Sequence, residues 1–283
     1  MLRGQKMEEE EKKEEPKVYS HSRLWLYESC PEFYKLKYID KKTPEMPLHI
    51  SLLLGKAVHE VLEWLYHQIR NHEVELDELV EYFQEKWEGY MNEVNGNVKF
   101  HNGDEKIHFN RGVKFLVDYY LKHKPFEQNV LAIERKVLFP LDDEEKYFIQ
   151  GYIDRVDLKD GVYEIHDYKT NAYPKKQEEL DKDRQLALYH LGLINEYGKD
   201  IDVKLIWDFL AHNLQMNSKR TKEELKNLKK ETLELIYKIE NEKEWKACNN
   251  KWCDWCSFKK DNNVTYEDVI NFHKDLEKEG IKK

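Results

Sequence analysis

Apolar residues recur along this chain first at helical and then at strand spacing, and the change divides it. Leu54, Val58, Val61, Leu62 and Leu65 fall three or four apart, which predicts a helix from Lys56 to about Arg70. Two further amphipathic helices are expected at about Leu76 to Met91 and Asn110 to Lys122. Upstream, Leu24, Tyr27, Phe33, Leu36 and Tyr38 give short helical pieces around Cys30-Pro31, with Pro31 in a first-turn position. The run 41–47 carries Lys and Pro and reads as a loop. Near Val130 the period shortens. LAIERKVLF and KYFIQGYIDRVDLK flank an acidic turn at 142–145, and Asp160-Gly161 is a tight-turn dipeptide. Residues 147–158 and 162–169 are therefore expected to pair as an antiparallel hairpin. Helical spacing returns at 183–197, and VKLIWDFL (203–210) is one more strand. Thr221 with Glu224 makes a capping box that opens a long helix bearing Leu225, Leu228, Leu235, Ile236 and Ile239. Helices, three strands, helix, strand, helix: the order predicts an α/β fold with a small central sheet.

Composition sharpens this picture at the ends and in the choice of partner. Residues 1–17 are charged and nearly free of large apolar side chains, so they read as a disordered tail, and 263–283 read as a charged C-terminal tail. The chain carries 47 Lys+Arg against 56 Asp+Glu, a formal charge of −9. That balance argues against a protein that coats polyanions by bulk charge, while leaving room for a local basic groove. No apolar run approaches the ~20 residues of a membrane span. No stretch of signal-peptide type opens the chain, so a cytoplasmic protein is expected.

There are four cysteines, and in a reducing compartment they do not read as disulfides. Cys248, Cys253 and Cys256 lie close together, and Cys30 lies far upstream. Cys253-x2-Cys256 has metal-binding spacing. With Cys248 and Cys30 it makes a four-thiol site suited to a [4Fe–4S] cluster or to structural zinc, and thiol chemistry alone leaves both open. Trp252 and Trp255 are expected to shield it from solvent.

The two arms of the expected hairpin carry the remaining chemistry. One reads Gly151-Tyr152-Ile153-Asp154-Arg155-Val156-Asp157 and the other His166-Asp167-Tyr168-Lys169-Thr170. Pairing across Asp160-Gly161 brings Asp154 near Asp167, and Asp167 and Lys169, two apart, share a strand face. Buried unpaired, such groups are costly. A hard divalent cation such as Mg²⁺ resolves the conflict through carboxylate oxygens. The plainer reading is a surface salt-bridge ladder of Asp157, Asp167 and Lys169. The flanking apolar strand residues weigh against it.

Taken in order, the motifs resemble the PD-(D/E)xK nuclease superfamily in its RecB-like branch. They are Ser22, Cys30-Pro31, Gly55-x3-His59, Gly151-x2-Asp154-Arg155-x-Asp157, Asp167-Tyr168-Lys169-Thr170 and Gln185-x3-Tyr189. The resemblance runs from Ser20 to about Lys260. It implies a restriction-endonuclease-like core in a single domain over 18–262, with a helical insertion at about 56–125 and the cysteine region at 245–262. It implies that His59, Asp154, Asp167 and the Tyr168 carbonyl hold Mg²⁺ or Mn²⁺, and that Lys169 is the catalytic lysine. Gln185 and Tyr189, one helical turn apart, would stand beside the site, contacting the lysine or DNA.

Iron–sulfur members of this branch, including AddB-like and CRISPR-associated nucleases, place one cysteine before the core and three after it. That order matches Cys30, Cys248, Cys253 and Cys256 and favours a [4Fe–4S] cluster over zinc. The family's last cysteine usually lies near the position of Asn262, whereas here Cys248 stands before the x2 pair. The activity implied is a metal-dependent DNA exonuclease acting at single-stranded ends. Its alternatives are a structure-specific endonuclease and a non-catalytic DNA-end-binding adaptor. The expected partners are DNA and proteins of recombination, repair or CRISPR adaptation, in the cytoplasm or, for a phage-borne enzyme, the host cytoplasm.

Overall fold

The computed structural model describes residues 15–100 and 103–278. Most of the tail expected at 1–17 lies outside the described residues. β1 (Lys17–Ser20) leads into α1 (His21–Ser29), whose first turn is capped where Ser20 Oγ accepts from the Arg23 N–H at 3.1 Å. Pro31 opens α2 (Pro31–Tyr34), which runs into a π-helical turn at Lys35–Ile39. β2 (Leu48–His49), α3 (Ile50–Gln68), α4 (Leu76–Val94), β3 (Val98–Lys99) and α5 (Glu105–His123) follow. Then come β4 (Val130–Pro140), β5 (Tyr147–Lys159), β6 (Val162–Lys169), α6 (Gln177–Leu180), α7 (Arg184–Tyr197), β7 (Asp202–Phe209) and β8 (Leu214–Ser218). The chain closes with α8 (Lys222–Glu240), α9 (Asp254–Asn262) and α10 (Tyr266–Lys278).

The main sheet runs β1-β5-β6-β7-β8, with β4 on the other edge of β5. β5 pairs antiparallel with β4 along most of its length. Its opposite edge is shared. β1 pairs parallel with residues 147–150, and β6 pairs antiparallel with 155–159. Residues 151–154 thus lie between two partners and belong to neither. β6 continues beside β7, parallel, from Val162↔Asp202 to Lys169↔Phe209, and β8 closes the sheet antiparallel to β7.

Helices cover both faces. On β6, Tyr168 packs with α3, α4 and α5 through Val58, Leu62, Phe83, Leu116 and Tyr119, while Ile165 packs with Leu186 and Leu193 of α7. Those two strand residues differ in parity, so the helical layers lie on opposite faces. α1 and α8 cover the β1 end of the sheet through Leu24, Tyr27, Ile236 and Ile239. A smaller cluster joins Cys30, Phe33 and Leu36 to Trp255 of α9 and Val269 of α10.

The differences from the sequence pattern are local. α3 begins at Ile50, before Gly55, and α5 begins at Glu105, where the Asp104 carboxylate accepts from the Ile107 N–H at 3.0 Å. β1 is four residues long and β8 is mostly exposed, so neither carries a strand's apolar alternation. The segment read as a C-terminal tail contains α10, anchored by the buried Val269. Among the described residues no helix is long and apolar enough to cross a membrane.

Candidate active site

The site forms where β5 and β6 part. Their ladder ends at Arg155↔His166, and the next opposed residues are Asp154 and Asp167. Beyond that point the Tyr168 N–H has no strand partner on β5 and donates instead to Asp154 Oδ2 at 2.6 Å. α3 supplies His59. Its Nε2–H donates to the Tyr168 carbonyl at 2.9 Å, and its Nδ1 lies 3.5 Å from Asp154 Oδ1. Gly55, one turn earlier on the same helix face, makes this approach possible. A Cβ there would stand 3.3 Å from Thr170 Oγ1.

Lys169 lies between two acceptors. Its Nζ is 2.6 Å from Asp167 Oδ2 and donates to Gln185 Oε1 at 3.1 Å. Gln185 in turn donates to the Tyr189 hydroxyl at 3.4 Å. The Cε1 edge of the Tyr189 ring lies against Gly151, where a Cβ would come within 2.3 Å of it. The structure therefore gathers His59, Asp154, Asp167, Tyr168, Lys169, Gln185 and Tyr189 around one opening in the sheet.

The electrostatics are those of a site short of positive charge. Burial opposes the charge on His59, yet Asp154 and Asp167 carry its pKa up to about 9. Burial pushes the Asp167 carboxyl up, Lys169 pulls it down, and Asp154 pushes it up again. Burial disfavours the Lys169 ammonium, but Asp167 holds its pKa above the ordinary lysine value. Asp167 Oδ2 is buried and has no aligned hydrogen bond among the described residues, only the ion pair with Lys169. A buried carboxylate oxygen partnered by one lysine and facing a second carboxylate fits a hard divalent cation.

Sequence reasoning missed one further acid. Ligand atoms of Glu134, His59 and Asp154 lie within 4.8 Å of one another. Glu134 sits on β4 inside an apolar strand run and belongs to no motif.

A family model described as the PD-(D/E)XK nuclease superfamily matches residues 18–260. The chain belongs to the PD-(D/E)XK nuclease superfamily. Its mixed sheet flanked by helices is the restriction-endonuclease-like core of that superfamily. No curated protein matches the chain.

Two motif residues of this nuclease chain do not enter the site. Arg155 and Asp157 point to the α3–α5 side of the sheet and are 1% and 3% exposed. Arg155 Nε donates to Asp157 Oδ1 at 2.9 Å, and Nη1 donates to the Tyr168 hydroxyl at 3.0 Å and to those of Tyr66 and Tyr119. His166 Nδ1 lies 2.9 Å from both Arg155 Nη2 and Asp208 Oδ2. Burial opposes the Asp208 charge, but His166 and Arg155 hold its carboxyl at about 2. This network fixes β5, β6 and β7 against the helices. The salt-bridge ladder of Asp157 with Asp167 and Lys169 does not form, because Asp157 and Asp167 lie on opposite faces.

The four cysteines also converge. Their sulfurs all lie within 4.8 Å of one another, with Cys248 3.7 Å and Cys30 4.0 Å from Cys256. Cys30 is wholly buried between α1 and α2, and Cys253 and Cys256 start α9. An all-thiol donor set fits zinc or iron–sulfur chemistry. Thiolates ~2.3 Å from one tetrahedral ion stand ~3.8 Å apart, and the observed spacing matches that. Trp255 is buried beside the cluster, stacked on Phe33 and donating to Glu32 Oε1 at 2.6 Å. Trp252, expected to shield the cysteines as well, is 75% exposed. It lies in the turn before α9, outside the apolar cluster that holds Trp255.

Proposed function

We propose that the protein is a metal-dependent DNA exonuclease of RecB-like type that works from single-stranded ends. The observation that carries this reading is the convergence of His59, Asp154, Asp167, Lys169 and Gln185 where β5 parts from β6. His59, Asp154, Asp167 and the Tyr168 carbonyl are the residues that would hold Mg²⁺ or Mn²⁺. When bound, the cation acidifies water and offsets charge on the scissile phosphate.

The chain's own groups do the rest. Asp167 keeps Lys169 charged, so the lysine acts as an orienting cation rather than a proton acceptor. Held between Asp167 and Gln185, its ammonium is directed at the attacking water or a phosphate oxygen. Without a cation the carboxylates repel the DNA backbone, which ties DNA approach to metal loading. Tyr152, two residues before Asp154, is 53% exposed, and Tyr173, four after Lys169, is 83% exposed. Such rings stack unpaired bases and support a single-stranded substrate.

The cysteines staple the α1–α2 corner to α9. The family resemblance implies a [4Fe–4S] cluster there, whereas the sulfur spacing supports a single tetrahedral ion such as zinc. Anaerobic purification followed by metal analysis decides: one equivalent of zinc in a colourless protein, or a brown iron-loaded one. The protein works in the reducing cytoplasm, with partners in recombination, repair or CRISPR adaptation.

The test of activity uses end-labelled linear and circular single strands with Mg²⁺ or Mn²⁺. Linear DNA is expected to be degraded and circular DNA spared. Cleaved circles would instead make the enzyme an endonuclease. Undiminished cleavage by Asp154→Ala or Lys169→Ala would overturn the site assignment.

A further inference from the structure

We infer that Glu134 is a metal ligand of this enzyme, forming with His59 and Asp154 a donor set on the β4 side of the site. The inference rests on the nuclease reading above and adds a carboxylate that the superfamily motifs in this chain do not contain.

The backbone is the first argument. Glu134 stands opposite Asp154 in the β4–β5 pair, at a position left unpaired between Ile133↔Arg155 and Arg135↔Ile153. Its φ is +47°, the left-handed region that a glutamate in a strand rarely adopts. The consequence is a reversal of strand alternation. Ile133 packs into the core formed by α3, α4 and α5, yet Arg135, two residues on, pairs with Glu196 of α7 on the opposite face. The same reversal occurs across Asp154, with Ile153 in the α7 core and Arg155 among the tyrosines of the other face. Glu134 and Asp154 thus sit at one seam, where both strands change face.

The surroundings are the second argument. Among the described residues the Glu134 carboxylate has no hydrogen bond and no ion pair. Its charged neighbours are Asp154 and Glu63, which repel it, and His59, which attracts it. A partly buried acid, held on a strained backbone against another acid and lacking a partner, is accounted for by a cation. Two carboxylates and an imidazole within 4.8 Å are a donor set for Mn²⁺ or Mg²⁺.

Direct metal binding tests this. Mn²⁺ is titrated calorimetrically into the full chain, with the metal of the cysteine site retained, for wild type, Glu134→Gln, Glu134→Asn, Asp154→Asn and Glu63→Gln. Circular dichroism confirms the fold of each. Asn tolerates the left-handed backbone better than Glu, so Glu134→Asn folds even where Glu134→Gln does not, and it withdraws the donor. The expected result is Mn²⁺ affinity at least tenfold weaker, or one Mn²⁺ fewer, in both Glu134 variants, with Glu63→Gln within twofold of wild type. Wild-type affinity and stoichiometry in the Glu134 variants, with binding weakened in Asp154→Asn, would overturn this inference and leave the nuclease reading standing. Superimposable titrations of wild type and Asp154→Asn would overturn both.

Discussion

The open end of the β5–β6 ladder carries two polar clusters back to back. Asp154 and Asp167 face the opening with His59, Lys169 and Gln185, while their chain neighbours Arg155 and His166 turn into the core with Asp157 and Asp208. The inner cluster is closed. Its side chains are at most 4% exposed, and three tyrosine hydroxyls complete the guanidinium's bonds. The outer cluster is open. Lys169 is 25% exposed at its side chain, Asp167 Oδ2 has Lys169 alone as its partner among the described residues, and His59 supplies the positive charge that a cation would otherwise bring. One strand pair thus separates a closed ionic network from an open one by a single residue of register. The difference lies in satisfaction of polar groups rather than in residue type.

Breaking the inner cluster is expected to have the largest effect. Arg155→Met leaves Asp157 and Asp208 buried without their cation, so stability falls by about 3–5 kcal/mol in chemical denaturation. Loss of cleavage with unchanged stability would place Arg155 in the active site instead. Next comes Lys169→Met. It removes the cation proposed to orient the attacking water, and cleavage is expected to drop by about 10²–10³-fold, as for removal of one preorganised donor, while the unfolding midpoint barely moves. Gly151→Ala pushes against the Tyr189 ring and is expected to cost about 1–3 kcal/mol. A neutral Gly151→Ala would show that Tyr189 does not need its present seat.

The smallest effect is on pH dependence. Below about pH 9 the metal-free site holds a proton on His59 that must leave before the ring can bind a cation. Metal affinity therefore rises with pH, by up to about tenfold per unit for one released proton, and levels off above about pH 9. Mn²⁺ titrations at pH 7.5 and 8.5 check the slope, and His59→Gln is expected to flatten it.

Much of this comparison was legible in the sequence, for particular reasons. The Asp160-Gly161 turn fixes the register of β5 on β6, and register alone sets Asp154 against Asp167 and puts Lys169 on the same side. The Gly55-to-His59 spacing marked the helix face that approaches β6, although the helix starts earlier, at Ile50. β1 and β8 left no signal because a four-residue strand and an exposed polar edge have no apolar alternation to read. Glu134 was hidden because a left-handed residue reverses the alternation that sequence reading assumes to be continuous. Cys248 was the uncertain fourth thiol from spacing, and folding brings it to 3.7 Å from Cys256. Its position depends on the loop between α8 and α9, which no local pattern specifies.

The most direct test of the account is to measure cleavage and stability together in one variant of the open cluster. Lys169→Met is assayed on end-labelled linear single-stranded DNA with Mg²⁺, beside its urea unfolding curve. The account predicts a wild-type unfolding midpoint and cleavage reduced by about 10²-fold or more. Cleavage at the wild-type rate, or a loss that follows only from unfolding, would contradict it.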